Sequence, residues 1–176
     1  MNTRRGFIEA GLAWLGFARS AWAQGAGDVP PVRYAALTKA VRIPVDAVAV
    51  PWQPVPFVAE ARLPRRSAQR EGGRRVLISG VLFRTTTQLS ALCVTCPHEQ
   101  CQVDLVTDEA QLTRMVGTAA NPLFECGCHL SIFDAMNDGA RIAGEAPRGL
   151  YRFRIGSVSR ATVEITEVEA DALSEV

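Results

Sequence analysis

The chain has 176 residues, 48% of them apolar, which is enough for one compact domain with a buried core and too few for two ordinary domains. Lys and Arg total 19 and Asp and Glu total 18, so the formal net charge is +1. This near balance excludes a strong general attraction to polyanions, and we expect no nucleic-acid partner.

Residues 1–23 are typical of an export signal. A twin arginine at positions 4 and 5 precedes an apolar stretch, and Ala-Trp-Ala at positions 21–23 matches a cleavage site. Glu9 and Arg19 leave only nine uncharged residues between them, whereas a membrane anchor needs roughly 20. We therefore predict a cleaved twin-arginine signal and a periplasmic protein that begins at Gln24. Membrane contact is expected only if the segment is retained.

The next segment changes in texture near residue 41. Residues 24–40 start with small, polar and proline residues, which predicts a flexible lead-in without fixed structure. From residue 41 to residue 176 short apolar runs alternate with Pro or Gly, a pattern that indicates strands and turns. The predicted strands are Val41 to Val50, Val55 to Ala61, Val76 to Thr85, Leu89 to Val94, Leu150 to Ile155 and Ala161 to Val168. Without a convincing long amphipathic helix, the fold class predicted is all-β, with small antiparallel sheets.

The last two runs predict a hairpin. Residues 151–155 alternate aromatic or apolar side chains with arginines, which assigns one set to the core and the other to solvent. Gly156-Ser157 is the predicted turn between the two strands. The acidic residues from Glu164 to Glu175 are interpreted as a solvated edge strand and tail.

Both histidines of the chain lie within three residues of a cysteine, in Cys96-Pro97-His98 and in Cys126-Gly127-Cys128-His129. Two thiolates and two imidazoles can complete the ligands of a Zn²⁺ ion or of a [2Fe-2S] cluster with histidine on one iron. The common zinc frameworks use C-x-x-C pairs, and C-x-H is too tight for them. The spacing therefore favours the cluster, with zinc as the alternative.

Extended by a few residues, the two segments resemble a known pair of motifs. Cys96-Pro97-His98-Glu99-Gln100-Cys101 and Cys126-Gly127-Cys128-His129-Leu130-Ser131 resemble the C-x-H-x-x-C and C-x-C-H-x-S boxes of Rieske proteins. The resemblance implies a Rieske fold with a cluster-binding subdomain at about residues 93–149. It also implies one [2Fe-2S] cluster with Cys96 and Cys126 on the inner iron and His98 and His129 on the outer iron. Histidine ligation raises the reduction potential to roughly −150 to +300 mV, which suits electron transfer.

Three cysteines are then still to be placed or paired. In the high-potential branch of the Rieske family the positions of Cys101 and Cys128 are joined by a disulfide, and the resemblance implies the same bridge here. Export to an oxidising compartment permits it. Rieske ferredoxins and ring-hydroxylating oxygenases typically lack this pair. Cys93 is interpreted as a buried apolar residue, with a reactive thiol as the alternative.

The resemblance also assigns residues around the cluster. Ser131 matches the serine that donates a hydrogen bond to a cluster sulfur, while Phe133 stands where quinol-oxidising relatives usually carry Tyr. The segment Gly144 to Arg148 resembles the proline-containing third loop, with Pro147 as its proline and an ordinary turn as the alternative. Absence of the tyrosine hydroxyl predicts a lower potential than in the Tyr-bearing relatives.

Other departures bear on the partner. Glu99 stands where relatives have an apolar residue, and Gln100 and Leu130 stand where they often have Gly. A carboxylate directly after His98 is a poor match to an apolar quinone pocket. These departures disfavour quinol docking.

The first expectation for function is an electron-transfer subunit similar to the small Rieske subunit of arsenite oxidase. Its redox partners would be a larger catalytic subunit and a c-type cytochrome or similar acceptor. The alternatives are the Rieske subunit of a quinol-cytochrome c oxidoreductase and a zinc-stabilised exported binding module. With both histidines engaged and no Gly-rich phosphate loop, we assign no catalytic residue.

Overall fold

The computed structural model describes residues 31–63, 73–117 and 121–175. The predicted signal at residues 1–23 and the predicted lead-in up to residue 30 lie outside this range. Within it, no helix has the length and apolar character needed to cross a membrane.

The described residues form two antiparallel sheets, as the all-β prediction expects. In chain order the strands are β1 (Tyr34–Pro44), β2 (Val55–Arg62), β3 (Arg75–Arg84), β4 (Leu89–Cys93), β5 (Asp104–Val106), β6 (Leu123–Cys126), β7 (Ser131–Asp134), β8 (Ala140–Ala143), β9 (Phe153–Val158) and β10 (Thr162–Glu169). Six strands make the larger sheet in the order β4-β3-β2-β1-β10-β9, and the smaller sheet has the order β5-β6-β7-β8. The helices are α1 (Glu109–Val116) and α2 (Ala172–Glu175), and a 3₁₀ turn covers Val45–Val48.

The predicted lead-in is wrong from Tyr34 onward, because β1 begins there and pairs with β10. Leu37, inside the predicted lead-in, is 8% exposed and belongs to the core of the larger sheet. The register of β1 against β10 shifts between Ala36 and Val41. This irregularity breaks the alternation of buried and exposed residues by which a strand is recognised in a sequence.

The predicted hairpin of β9 and β10 is confirmed, but its turn lies later than expected. The chain reverses at Ser159, whose backbone N–H donates to the carbonyl oxygen of Thr162 and whose hydroxyl oxygen accepts from the Thr162 N–H. Gly156 lies inside β9, opposite a register shift in β10. A Cβ at Gly156 would come within 2.7 Å of the Thr166 side chain, so close packing rather than a turn explains this glycine.

The strands of the smaller sheet and helix α1 were not predicted. Each of these strands has only three or four residues, too few to show a periodic pattern. Helix α1 has local signals that a search for long helices passes over. The Asp108 side chain caps its first turn by accepting from the Gln111 N–H, and Gly117 ends it in the left-handed conformation.

Two of the buried apolar clusters lie on the larger sheet, and the second of these layers includes cysteines of the Cys-His motifs. The first lies on the larger sheet and contains residues of β1, β2, β3, β9 and β10. The second contains Phe83 of the larger sheet, Phe124 and Phe133 of the smaller sheet, and the motif cysteines Cys96 and Cys126. The smaller sheet, which lies between β4 and β9 in the chain, therefore packs with its motif residues directly on the larger sheet. The subdomain boundaries at residues 93 and 149 stay a prediction.

Gly144, after β8, gives a test of this packing. Its φ of +88° lies in the left-handed region, and an added Cβ would come within 2.3 Å of the Ser131 Cα. Gly144→Ala should therefore lower the free energy of unfolding by about 1–2 kcal/mol through left-handed backbone strain. Displacement of the backbone of Ser131 should lower it further. The measurement is the thermal unfolding midpoint of the cluster-loaded protein at one scan rate.

The matched control is Gly117→Ala, where φ is +81° but nothing lies within 4 Å of the added Cβ. This variant should show the strain alone and therefore the smaller fall in midpoint. Equal falls for both variants would contradict the close approach of Gly144 to Ser131.

Candidate metal centre

The first motif is a turn closed by its own backbone. The Cys96 N–H donates to the carbonyl oxygen of Cys101 at 2.7 Å, and the Gln100 N–H donates to the carbonyl oxygen of Cys96 at 3.0 Å. An isolated bridge between Thr95 and Gln102 continues the pairing outward. The cysteines at both ends of the motif are thereby held side by side.

The second motif is the turn of the β6-β7 hairpin. Cys126 and Ser131 are cross-strand partners, so the four residues between them form the connection. Leu130 adopts φ +54° in this turn, and Gln100 adopts φ +60° in the first. These are the two positions at which Rieske relatives often have Gly, and the left-handed backbone gives a physical reason for glycine there.

A disulfide joins the two turns. Cys101 and Cys128 are bonded, with their Cα atoms 6.6 Å apart and 27 residues of separation along the chain. The bridge that the family resemblance implied is therefore confirmed. It leaves Cys93, Cys96 and Cys126 as free cysteines among the described residues.

The two thiols assigned to one iron are buried and adjacent. Cys96 and Cys126 are each 1% exposed. Burial raises the pKa of the Cys96 thiol, hydrogen bonding to the backbone of His98 lowers it, and the neighbouring Cys126 thiol raises it again. The Cys126 Sγ also lies within 4.8 Å of both disulfide sulfurs. Neither thiol reaches solvent freely, as suits a pair that a metal group would cover.

Cys93 lies elsewhere, in the core of the larger sheet with 0% exposure. Burial raises the pKa of its thiol above the usual value, which keeps it protonated and unreactive. The interpretation of Cys93 as a buried apolar residue is confirmed.

The two imidazoles meet edge to face, with ring centroids 4.7 Å apart and an interplanar angle of 76°. Their side chains are 27% exposed for His98 and 36% exposed for His129. The Nδ1 atom of His98 is buried without a hydrogen-bond partner among the described residues. Since a buried polar atom is rarely left unpaired, this nitrogen fits a bond to a metal.

Two carboxylates lie at the outer edges of the imidazoles. The Glu145 Oε2 is 3.9 Å from the His98 Nε2, and the Glu99 Oε2 is 3.8 Å from the His129 Nε2. Both carboxylate side chains are more than 60% exposed. The sequence suggested that Glu99 lies beside His98, its neighbour in the chain, whereas the tight first turn brings it to His129. Exposed Leu130 follows His129 directly.

Ser131 and Phe133 lie at the base of the second turn, both with 0% exposure. The Ser131 Oγ accepts a hydrogen bond from the Ala146 N–H at 3.0 Å, which leaves the hydroxyl proton available for another acceptor. The third segment, residues 144–148, thus lies against the second motif, and its fourth residue, Pro147, is exposed. The second apolar layer contains Phe133.

The residues present fit a [2Fe-2S] cluster. Two buried thiols and two imidazoles converge from two bridged turns, and one imidazole nitrogen is buried and unpaired. Cysteine pairs with histidine pairs are the donor set of clusters that carry histidine on one iron. The fold and site together define an iron-sulfur electron-transfer protein.

The comparison with protein families agrees. The Rieske [2Fe-2S] domain matches residues 52–154, more than half of the chain. This chain belongs to the Rieske family and binds one [2Fe-2S] cluster. The comparison with curated proteins gave no match.

One ion pair near the site was missed from the sequence. Glu169, at the end of β10, is 2% exposed and accepts hydrogen bonds from Arg148 and Arg152. Interpreting this part of the acidic run as a solvated edge strand is therefore wrong, and β10 lies between β1 and β9 in the sheet. Alternating Glu residues on a strand carry no sequence signal of which one a loop will cover.

The bridge yields the first prediction for the site. The Cys101→Ser, Cys128→Ser double variant removes a cross-link that closes a loop of 27 residues. Chain entropy predicts a loss of about 3–4 kcal/mol, or about 10 °C in the unfolding midpoint. The measurement is thermal loss of the visible circular dichroism of the cluster-loaded protein.

The control for this variant is Cys93→Ala, which keeps the bridge and alters only the core of the larger sheet. It should lower the midpoint by less than half as much. If the double variant has the same unfolding midpoint as the wild type, the bridge does not hold the site together.

Phe133 yields the second prediction. Phe133→Tyr places a hydroxyl donor where quinol-oxidising relatives carry one, and hydrogen bonds near the cluster sulfurs stabilise the reduced, more negative state. The midpoint potential measured by protein-film voltammetry should therefore rise. Phe83→Tyr adds the same hydroxyl to another fully buried ring in the same apolar layer and should leave the potential nearly unchanged. An unchanged or lower value for Phe133→Tyr would refute this account.

Proposed function

We propose that this chain is the electron-transfer subunit of a periplasmic oxidoreductase, similar in role to the small Rieske subunit of arsenite oxidase. Cys96 and Cys126 would hold one iron of the cluster, and His98 and His129 the other. A larger catalytic subunit would transform the substrate, and a c-type cytochrome or similar acceptor would receive the electrons.

The choice of partner rests on two carboxylates, those of Glu99 and Glu145, which lie at the exposed edges of the imidazoles and form what we call the acidic border. Glu99 and Glu145 lie within 4 Å of the two Nε2 atoms, on the side open to solvent. A quinol head group entering an apolar pocket at this place would bury both carboxylates without partners, at a cost of several kcal/mol. A protein acceptor with a basic or hydrated surface avoids that cost. The border therefore favours a protein partner over a quinol.

Two further features support the same branch of the family. The Cys101–Cys128 bridge is typical of the high-potential Rieske proteins rather than of Rieske ferredoxins. The buried phenyl group of Phe133 in place of Tyr resembles the arsenite oxidase type.

The roles of the residues follow from their positions. When bound, the cluster supplies a one-electron redox couple. The buried thiols of Cys96 and Cys126 would hold one iron of the cluster next to the protein core. The imidazoles of His98 and His129, which are partly exposed, would hold the other iron. Because both imidazoles are partly exposed, a partner can approach them closely, and short distance is what fast electron transfer needs.

The first experiment is low-temperature electron paramagnetic resonance of the dithionite-reduced protein purified from the periplasm, with mass spectrometry of its N-terminus. We expect a rhombic spectrum with a low average g value from a chain that starts at Gln24. A retained N-terminal segment in a membrane fraction would favour the quinol-cytochrome c type. Bound zinc without iron would overturn the redox function.

The acidic border gives a second, quantitative prediction. In the Glu99→Gln, Glu145→Gln double variant, stopped-flow oxidation by a cationic cobalt(III) complex should slow, and oxidation by anionic ferricyanide should accelerate. Electrostatic steering makes changes on the order of tenfold reasonable at low salt, and they should shrink as salt screens the charges. 

The matched control is Glu164→Gln, Glu167→Gln, which removes the same charge from β10. It should change both rates much less. Equal effects of the two double variants would mean that electrons do not leave through the imidazole edges.

A further inference from the structure

We propose that Glu169 is a positioning residue for the cluster: through Arg148 it holds residues 144–148 against the hydroxyl of Ser131. This inference rests on the cluster site proposed above and goes beyond it. It assigns a role in setting the reduction potential to a residue of the larger sheet that contacts none of the expected ligands.

The contact between the larger sheet and the third segment begins at the buried carboxylate of Glu169. Glu169 is 2% exposed at the end of β10, and its two oxygens accept hydrogen bonds from different guanidinium groups. Oε1 accepts from the Nε of Arg152, and Oε2 accepts from Arg148. The hydrogen bond to Glu169 raises the pKa of Arg152. The two guanidinium groups are thus held on one carboxylate.

The two arginines lie in different parts of the chain. Arg152 pairs by an isolated bridge with Leu92 of β4, so it belongs to the larger sheet. Arg148 belongs to the third segment and directly follows Pro147. Its guanidinium also lies over the Tyr151 ring, 4.2 Å from the centroid. Glu169 thus joins the third segment to the larger sheet.

At its other end the third segment touches the second motif. The Ala146 N–H donates to the Ser131 Oγ at 3.0 Å, and Ala146 is 1% exposed. Gly144 approaches the backbone of Leu130 and Ser131 so closely that a Cβ would clash with both. Only one residue, Pro147, separates Ala146 from Arg148, and its ring restricts the backbone between them. A shift of Arg148 is therefore passed to the Ala146 amide.

The Ala146 amide in turn orients the Ser131 hydroxyl. While the Oγ accepts from this N–H, its own proton can still be donated, and the proposed ligand Cys126, as the cross-strand partner of Ser131, lies on the same face of the sheet. Such a donor stabilises the reduced cluster. Loosening the amide lets the hydroxyl rotate, which weakens that donation and lowers the midpoint potential.

The contacts of Glu169 point to geometry rather than to stability. Its carboxylate is buried, while the side chains of Arg148 and Arg152 are 36% and 34% exposed. Replacing a buried ion pair with apolar residues is often neutral or stabilising, so such a pair is weak evidence for a role in stability. The neighbouring pair of Arg154 and Glu167 shows the contrast. It joins β9 to β10, is exposed, and has no hydrogen bond to the third segment among the described residues. Glu169 differs in that one of its arginines comes from that segment.

The test compares Glu169→Gln with Glu167→Gln in the cluster-loaded protein by protein-film voltammetry. Both variants remove one negative charge from β10, and this electrostatic effect alone raises the potential. A positioning role adds an opposite shift for Glu169→Gln only. We expect the midpoint of Glu169→Gln to lie below both the wild type and Glu167→Gln. A value equal to or above that of Glu167→Gln overturns the inference.

Arg148→Gln tests the same contact from the third segment, in case Glu169→Gln does not fold. Its midpoint should fall, and the fall should shrink by at least half when Ser131→Ala is also present, because the hydroxyl is then gone. A purely electrostatic fall would be unchanged in the double variant and would overturn the inference. Native-state hydrogen exchange gives an independent readout: the Ala146 amide should exchange at least tenfold faster in Glu169→Gln than in Glu167→Gln, and equal rates would also overturn it.

These outcomes are separate from those that test the proposed function. Absence of a rhombic signal from the wild-type protein would show that it holds no such cluster and would overturn the proposed function. A normal signal with equal shifts in Glu169→Gln and Glu167→Gln would overturn the positioning role alone.

Discussion

The site depends on bringing two short turns together and keeping them in register. Neither turn can bind a two-iron cluster alone, since each carries one thiol and one imidazole of the proposed ligand set. The Cys101–Cys128 bridge supplies the covalent link, and the buried layer beneath Cys96 and Cys126 supplies a firm base. The backbone of each turn is closed by its own hydrogen bonds, so the bridge joins two preformed pieces. The remaining features of the site, including the edge-to-face imidazoles and the third segment, depend on this link between the two turns.

The carboxylates around the two linked turns fall into an exposed group and a buried one, which have different roles. Glu99 and Glu145 lie at the exposed imidazole edges, where they act on whatever approaches from solution. Glu169 is buried in the larger sheet and bound by Arg148 and Arg152, and we propose that it acts on the position of the third segment. Exposed carboxylates affect association rates and are screened by salt, whereas a buried, paired carboxylate fixes geometry and is screened little.

Some failures of sequence-based prediction here have a common cause. Gly156 predicts the β9-β10 turn because glycine is a turn signal, whereas in the structure this glycine makes room for Thr166 in a bulge. The start of β1 resembles a lead-in because a register shift hides its alternation. In both places the deciding contact is with a neighbouring strand of the sheet and not within the segment itself. The strands of the smaller sheet are not predicted for a simpler reason, because three or four residues are too few to show a periodic pattern.

The sequence by itself determined the chemistry of the site. Thiols and imidazoles at two close spacings define the proposed cluster ligands, because donor type and reach within one turn are local properties. It also determined the all-β class and most strands of the larger sheet, whose apolar runs are long enough to read. Only the tertiary structure decided that Glu99 lies beside His129, that Glu145 lies beside His98, and that Glu169 is buried between two arginines. These facts depend on which segments meet in space, and a contact between residues distant in sequence leaves no trace in the pattern of either segment alone.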